Sequence, residues 1–136
     1  MIPSQRVRSF GVLVATLILA TSGSALAGDC RDVKFSFKNN IPAKIRVVAV
    51  RIEGNDGSWR ENVANAVILP TYSHVTGGRR LNKLDSGASP RKMSVEFEEH
   101  IPQTQNGWRN RAFRHFTGLP SCVDGITYQF EMNPAP

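Results

Sequence analysis

Apolar and polar residues alternate with period two in several separate stretches of this chain. Val33, Phe35 and Phe37 occupy alternate positions in the first; Met93, Val95 and Phe97 do so in RKMSVEFEE, and Ile126, Tyr128, Phe130 and Met132 in GITYQFEM. A strand sends successive side chains to opposite faces, so each stretch predicts a strand with one face on a core and one toward water. AKIRVVAVRIE breaks the rule: Ile45 and Val47 share one parity, whereas Val48, Val50 and Ile52 share the other. A bulge near Val47-Val48 reconciles the two, as does a strand covered on both faces. Residues 66–69, 79–84 and 111–116 add shorter candidates, the first stopped by Pro70.

Gly54-Asn55-Asp56-Gly57 is a strong turn signal. Directly after it, Ser58-Trp59-Arg60-Glu61 has the form of a capping box, with Trp59, Val63, Ala66 and Val67 at helical spacing. Asn62 and Asn65 are poor helix residues, so the pattern predicts one short helix near 58–67, of one or two turns at most. Residues 101–110 are polar and turn-rich. Six to eight strands at this spacing predict an all-β fold, a sandwich or barrel in a single domain.

The amino-terminal segment follows a different pattern. Residues 10–20 (FGVLVATLILA) are apolar, Arg6 and Arg8 precede them, and Ala25-Leu26-Ala27 closes the segment with small residues at alternate positions. This is the layout of a secretory signal peptide cleaved after Ala27. The strongly apolar part reaches only about half of the ~20 residues a membrane span needs. Asp29 separates the expected cut from Cys30, which argues against lipid attachment at that cysteine. The expected organisation is a leader at 1–27 and a β-sandwich domain at 28–136, secreted or periplasmic, with no transmembrane segment after processing.

Export changes how the cysteines are read. Cys30 and Cys122 are the only two, and in an oxidising compartment an even pair without C-x-x-C spacing predicts a structural disulfide. Each precedes a predicted strand, so a bond between them would start the first and last strands at the same end of the domain. If those strands are neighbours, they run parallel; in this the chain resembles immunoglobulin-like and transthyretin-like folds, which implies a small single-domain β-sandwich. Taking Arg6 and Arg8 from 17 Lys and Arg against 11 Asp and Glu leaves a net charge of +4. That mild excess is compatible with an anionic partner without requiring one.

Catalytic and metal signatures are weak. His74, His100 and His115 are scattered over three segments, and only Glu98 and His100 would share a strand face. No G-x-S-x-G elbow is present, Ser86 reads as turn chemistry, and Gly77-Gly78 lacks the length and following helix of a phosphate loop. No catalytic residue, metal ligand or cofactor is therefore expected. The segment from Trp108 through Arg109, Arg111 and Arg114 interleaves arginines with Trp108, Phe113 and Phe116, a composition suited to stacking and to phosphate or carboxylate contacts. Arg79 and Arg80 belong to a second basic group flanking the 86–90 loop. The leading expectation is a non-enzymatic binding module whose basic and aromatic surface recognises a protein or an anionic envelope component, nucleic acid not being the expected partner. A small secreted hydrolase and a membrane-active, toxin-like protein are the alternatives.

Overall fold

The computed structural model describes residues 28–103, 106–109 and 111–135, so the expected leader at 1–27 lies outside the described residues. Among the described residues eight strands follow one another: β1 (Asp29–Asn39), β2 (Ile45–Gly54), β3 (Gly57–Ile68), β4 (Ser73–Val75), β5 (Arg79–Asp85), β6 (Lys92–Glu99), β7 (Ala112–Phe116) and β8 (Thr127–Met132). They form two sheets with the core between them, a small β-sandwich. In one sheet β1 pairs parallel with β8, and antiparallel with β4 and β5 along its other edge. The other sheet has the order β3-β2-β6-β7 and is antiparallel throughout.

The alternating residues fill the core as their parity demands. Phe35 and Phe37 from β1 and Tyr128, Phe130 and Met132 from β8 meet Ile45, Val50 and Ile52 from β2 and Met93, Val95 and Phe97 from β6. Phe130 is the centre of the aromatic packing, with its ring centroid 5.7 Å from Phe37 and 4.8 Å from Phe116. Tyr128 donates its buried hydroxyl to the Pro120 carbonyl at 2.9 Å, and burial pushes its pKa up to about 12.

The parity conflict in β2 is resolved by a bulge. Val47 pairs with Ala66 and Ala49 with Asn62, so the single Val48 stands opposite Val63, Ala64 and Asn65 of β3. The same irregularity explains why 57–68 is a strand and not the expected short helix. Trp59, Val63 and Ala66 all turn toward the core, and the bulge between the last two stretches their spacing until it imitates a helical period. Asn55 and Asp56 form a two-residue turn between paired Gly54 and Gly57, with Gly57 at φ 116°, and the hairpin zips β3 onto β2. Pairing with a central strand overrides the local capping-box pattern.

Two long-range contacts fix the ends of the domain. Cys30 and Cys122 form the disulfide, with Cα atoms 6.1 Å apart and a sequence separation of 92. β1 and β8 therefore start together and run parallel, in register from Lys34–Thr127 to Asn39–Met132. At the far end of β1, fully buried Asn39 donates through Nδ2 to the carbonyls of Ala43 and Ile68 at 2.8 and 2.9 Å. Its Oδ1 accepts from the Ile41 amide. One side chain thus satisfies backbone groups in both crossings that leave this end of the sandwich.

Replacing both Cys30 and Cys122 by serine should cost about 4–5 kcal/mol of stability, as expected for opening so long a loop, measured by urea unfolding. Asn39→Asp keeps the shape but removes two donors and directs a carboxylate at two carbonyls. It should cost about 2–4 kcal/mol in the same assay at neutral pH.

Candidate functional site

The outer face of the β3-β2-β6-β7 sheet carries an unusual set of side chains for a solvated surface. Strand register arranges them in rows. Arg60, Arg51, Ser94 and His115 form one row across the four strands; Asn62, Ala49, Glu96 and Phe113 form the next, and Arg46 pairs with Glu98 beyond it. Across four strands the face is about 14 Å wide. Phe113 is 46% exposed, and its ring stacks over that of His115 with centroids 6.5 Å apart. Ser94 Oγ and His115 Nδ1 share a hydrogen bond of 2.8 Å, which fixes the imidazole against the sheet.

Glu96 organises the middle of the face. Its side chain is only 6% exposed although it points outward, because two arginines cover it. Arg60 donates to both carboxylate oxygens at 3.1 and 3.2 Å, and Arg111 to Oε2 at 2.7 Å. The hydrogen bonds from Arg60 are the largest cause that holds the Glu96 carboxyl below the usual carboxylate range, and the charges of both arginines add to them against the opposing effect of burial. Two cations on one anion leave an excess positive charge at this point.

Arg51 has no such compensation. It stands directly across from Arg60 on the neighbouring strand, where like charges repel, and it makes no hydrogen bond or ion pair among the described residues. Beside this row the bulges of β2 and β3 leave a shallow depression of about 270 Å³. Arg60, Arg111, Asn62, Val48, Ala64 and Asn65 line it.

At the upper end of the face, Gly107 at φ 78° turns the chain so that Trp108 bridges back to His100. A side chain at Gly107 would also crowd the His100 ring, at 3.4 Å from Nε2. Trp108 meets His100 edge-on at 5.2 Å and takes the Arg46 guanidinium over its ring at 4.3 Å. Arg46 in turn donates from Nε and Nη2 to Glu98 Oε1 at 2.8 and 2.7 Å.

Of the residues singled out from sequence, Trp108 and Arg111 fall on this face together. Arg109 follows Trp108 and is exposed; its backbone amide donates to Glu99, and its side chain has no partner among the described residues. Arg114 has the opposite parity, lies over the Phe97 ring at 5.3 Å and donates to the Asn133 carbonyl. Arg79 and Arg80 sit on β5 in the other sheet: Arg80 pairs with Asp29, and Arg79 donates to the Asn62 carbonyl. Sequence reading passed over Arg46, Arg51, Arg60, Phe113 and His115 as members of one surface. Alternation along β7 turns Phe113 and His115 the same way, but only the register of β2 and β3 brings the three arginines beside them.

Among the described residues, no group of three or more His, Cys, Asp or Glu side chains is placed to hold a metal ion. Comparison with protein-family models, with curated proteins and with solved structures gave no match for this chain. Fold and face together define a disulfide-bonded β-sandwich bearing an arginine- and aromatic-rich sheet surface. The disulfide points to an oxidising, extracytoplasmic environment. Among the described residues no helix is long and apolar enough to cross a membrane.

Glu96 supplies a pH signature. Because its folded pKa is depressed, its contribution is complete above the unfolded carboxylate value and is lost as pH falls through the folded one. Glu96→Gln should lower stability at neutral pH by about 1–3 kcal/mol and flatten the acid limb of stability below about pH 5, followed by denaturant unfolding across that range.

Proposed function

We propose that this protein is an exported, non-enzymatic binding module that takes an anionic polymer of the cell surface or its surroundings on the outer face of the β3-β2-β6-β7 sheet. The observation that carries the reading is the uncompensated Arg51 set against the Arg60–Glu96–Arg111 cluster, next to exposed Phe113. Evolution of a solvated sheet face has no structural need for an arginine placed opposite another arginine, and an anion between them relieves the repulsion. The depression over the bulges gives such a group a seat, while exposed Phe113 and His115 offer a ring surface to sugar or other apolar surfaces of the ligand. The disulfide supports an oxidising setting, and the 1–27 pattern supports export by a leader cleaved after Ala27 to a secreted or periplasmic site.

On this reading Arg51 and the Arg60–Arg111 pair hold the negative group, and the ring faces set the lie of the chain. Arg46 and Trp108 extend the contact toward the 101–107 turn. Arg109 adds charge at its rim. Glu96 keeps the two arginines that flank it in place and keeps the site from binding any anion too tightly.

The purified protein should bind an immobilised carboxylated or sulfated polysaccharide and release it between about 50 and 500 mM salt, as screening of surface charge requires. A neutral polysaccharide of the same backbone should not retain it. Arg51→Gln and Phe113→Ala alter exposed side chains, so each should weaken binding several-fold with melting temperature little changed. Retention that ignores salt, or variants that bind like the parent, would overturn the proposal.

A further inference from the structure

We infer that the cleft between β3 and the β4–β5 edge is a second, separate binding site, for a small organic molecule that carries a carboxylate on a short apolar body. One side of the sandwich is closed: Phe116 of β7 packs on Phe130 of β8, and Arg114 reaches across to the Asn133 carbonyl. The opposite side, where β3 faces β4 and β5, is bridged by Arg79, which donates to the Asn62 carbonyl, and keeps a cleft beside that bridge. Both of its lips are irregular at the same level. On β3 the lip is the bulge of Val63, Ala64 and Asn65. On the other sheet it is the break at 76–78, where β4 ends and β5 begins.

The β3 irregularity is strained, and the break opposite it is held by hydrogen bonds. Ala64 and Asn65 take φ values of 26° and 51°, a region that L residues other than asparagine and glycine avoid. Opposite them, Thr76 stitches the break to β1. Its amide donates to the Phe35 carbonyl at 2.9 Å, and its hydroxyl accepts the Phe35 amide at 3.0 Å while donating to the Gly77 carbonyl. The result is a cavity of about 260 Å³ between the sheets. Bulges that sit beside a cavity are a recurrent way to aim side chains at a ligand.

The lining divides by chemistry. Val63, Ala64 and Ala66 make an apolar wall, with Val63 buried at its base. His74 pairs with core-facing Phe37, so its ring turns toward the cavity, where it has no partner among the described residues. Arg79 closes the other end. It lies over the Phe35 ring at 5.5 Å and uses only Nη1, on the Asn62 carbonyl at 2.8 Å and on Glu61 at 3.6 Å. Its Nε is buried without a hydrogen-bond partner among the described residues. Nε lies out of a ligand's reach, but Nη2 has no partner among the described residues and suits one oxygen of a carboxylate, while the imidazole suits the other. Glu61 beside Arg79 disfavours a doubly charged phosphate there. A volume just under the usual range of about 300–1,000 Å³ for ligand sites limits the body to a few carbons. Asn62 and Ala64 line both this cavity and the outer depression, but the charged and titratable groups differ: His74 and Arg79 here, Arg60 and Arg111 there.

Titration with butyrate, butyramide and methyl phosphate, followed in ¹H–¹⁵N spectra of the purified protein, tests the assignment. Butyrate should shift the amides of 63–66 and 74–79 saturably, with little response to the other two compounds. Ala66→Leu fills the cavity and should weaken the response about tenfold or more. His74→Ala, at an exposed edge position, should weaken it several-fold without loss of fold, and Arg51→Gln on the outer face should leave it unchanged. Absence of localised shifts, an equal response to butyramide or methyl phosphate, or full binding by a folded Ala66→Leu or His74→Ala variant would overturn the inference. Because Arg51→Gln is the variant that weakens polymer binding, either site can fail without the other.

Discussion

The parallel pairing of β1 with β8, tied at its start by Cys30–Cys122, is the constraint on which the rest of this domain depends. β1 is the strand that every other part of its sheet touches: β8 along one edge, β4 and β5 along the other. Its inward side chains, Phe35 and Phe37, meet Phe130 in the centre of the core. A parallel contact between segments some ninety residues apart closes a long loop against an entropy cost. The disulfide lowers that cost in the unfolded chain. Asn39 performs a complementary task at the opposite end, where it answers three backbone groups that would otherwise be buried unpaired.

The second organising feature is the bulge that opposes Val63, Ala64 and Asn65 to Val48. It lets β2 turn Ile45 and Val47 inward on one side of the irregularity and Val50 and Ile52 inward on the other. It also lifts β3 away from a regular edge. That protects a long edge strand from pairing with other chains, because an edge with a bulge offers no continuous ladder. The same local distortion opens a depression on the outside of the sheet and a cleft on its open side. Both candidate sites therefore depend on a single piece of strained backbone.

Most strands were legible because a half-buried strand imposes period two whatever its neighbours are. The β1, β6 and β8 patterns were of this kind, and of the two readings that the β2 parity conflict left open, the bulge near Val47-Val48 is the one the register shows. β3 was misread for a physical reason: the extra residues at its bulge move the core-facing positions to 59, 63 and 66, a spacing that a helix would also produce. β4 was missed because it is three residues long and wholly exposed, so it has no burial pattern to write into the sequence. On the candidate face, Trp108 and Arg111 could be picked out as a local cluster. Arg46, Arg51 and Arg60 could not, since nothing within β2 or β3 says which residues lie beside Glu96.

By itself the sequence determined the local variables: which residues alternate, where the chain turns at 54–57, that two cysteines separated by ninety residues would pair, and that strands starting at that bond would run parallel if adjacent. Those follow from side-chain direction, backbone freedom at glycine, and sulfur chemistry, each of which acts over a few residues or through a unique partner. Only the tertiary structure decided which strands are neighbours and in what register. It was register that set Arg51 opposite Arg60, buried Glu96 between Arg60 and Arg111, and sent Arg79 and Arg80 to the other sheet. A shift of one residue in any of those pairings would turn a different set of side chains outward, and no local signal records the choice.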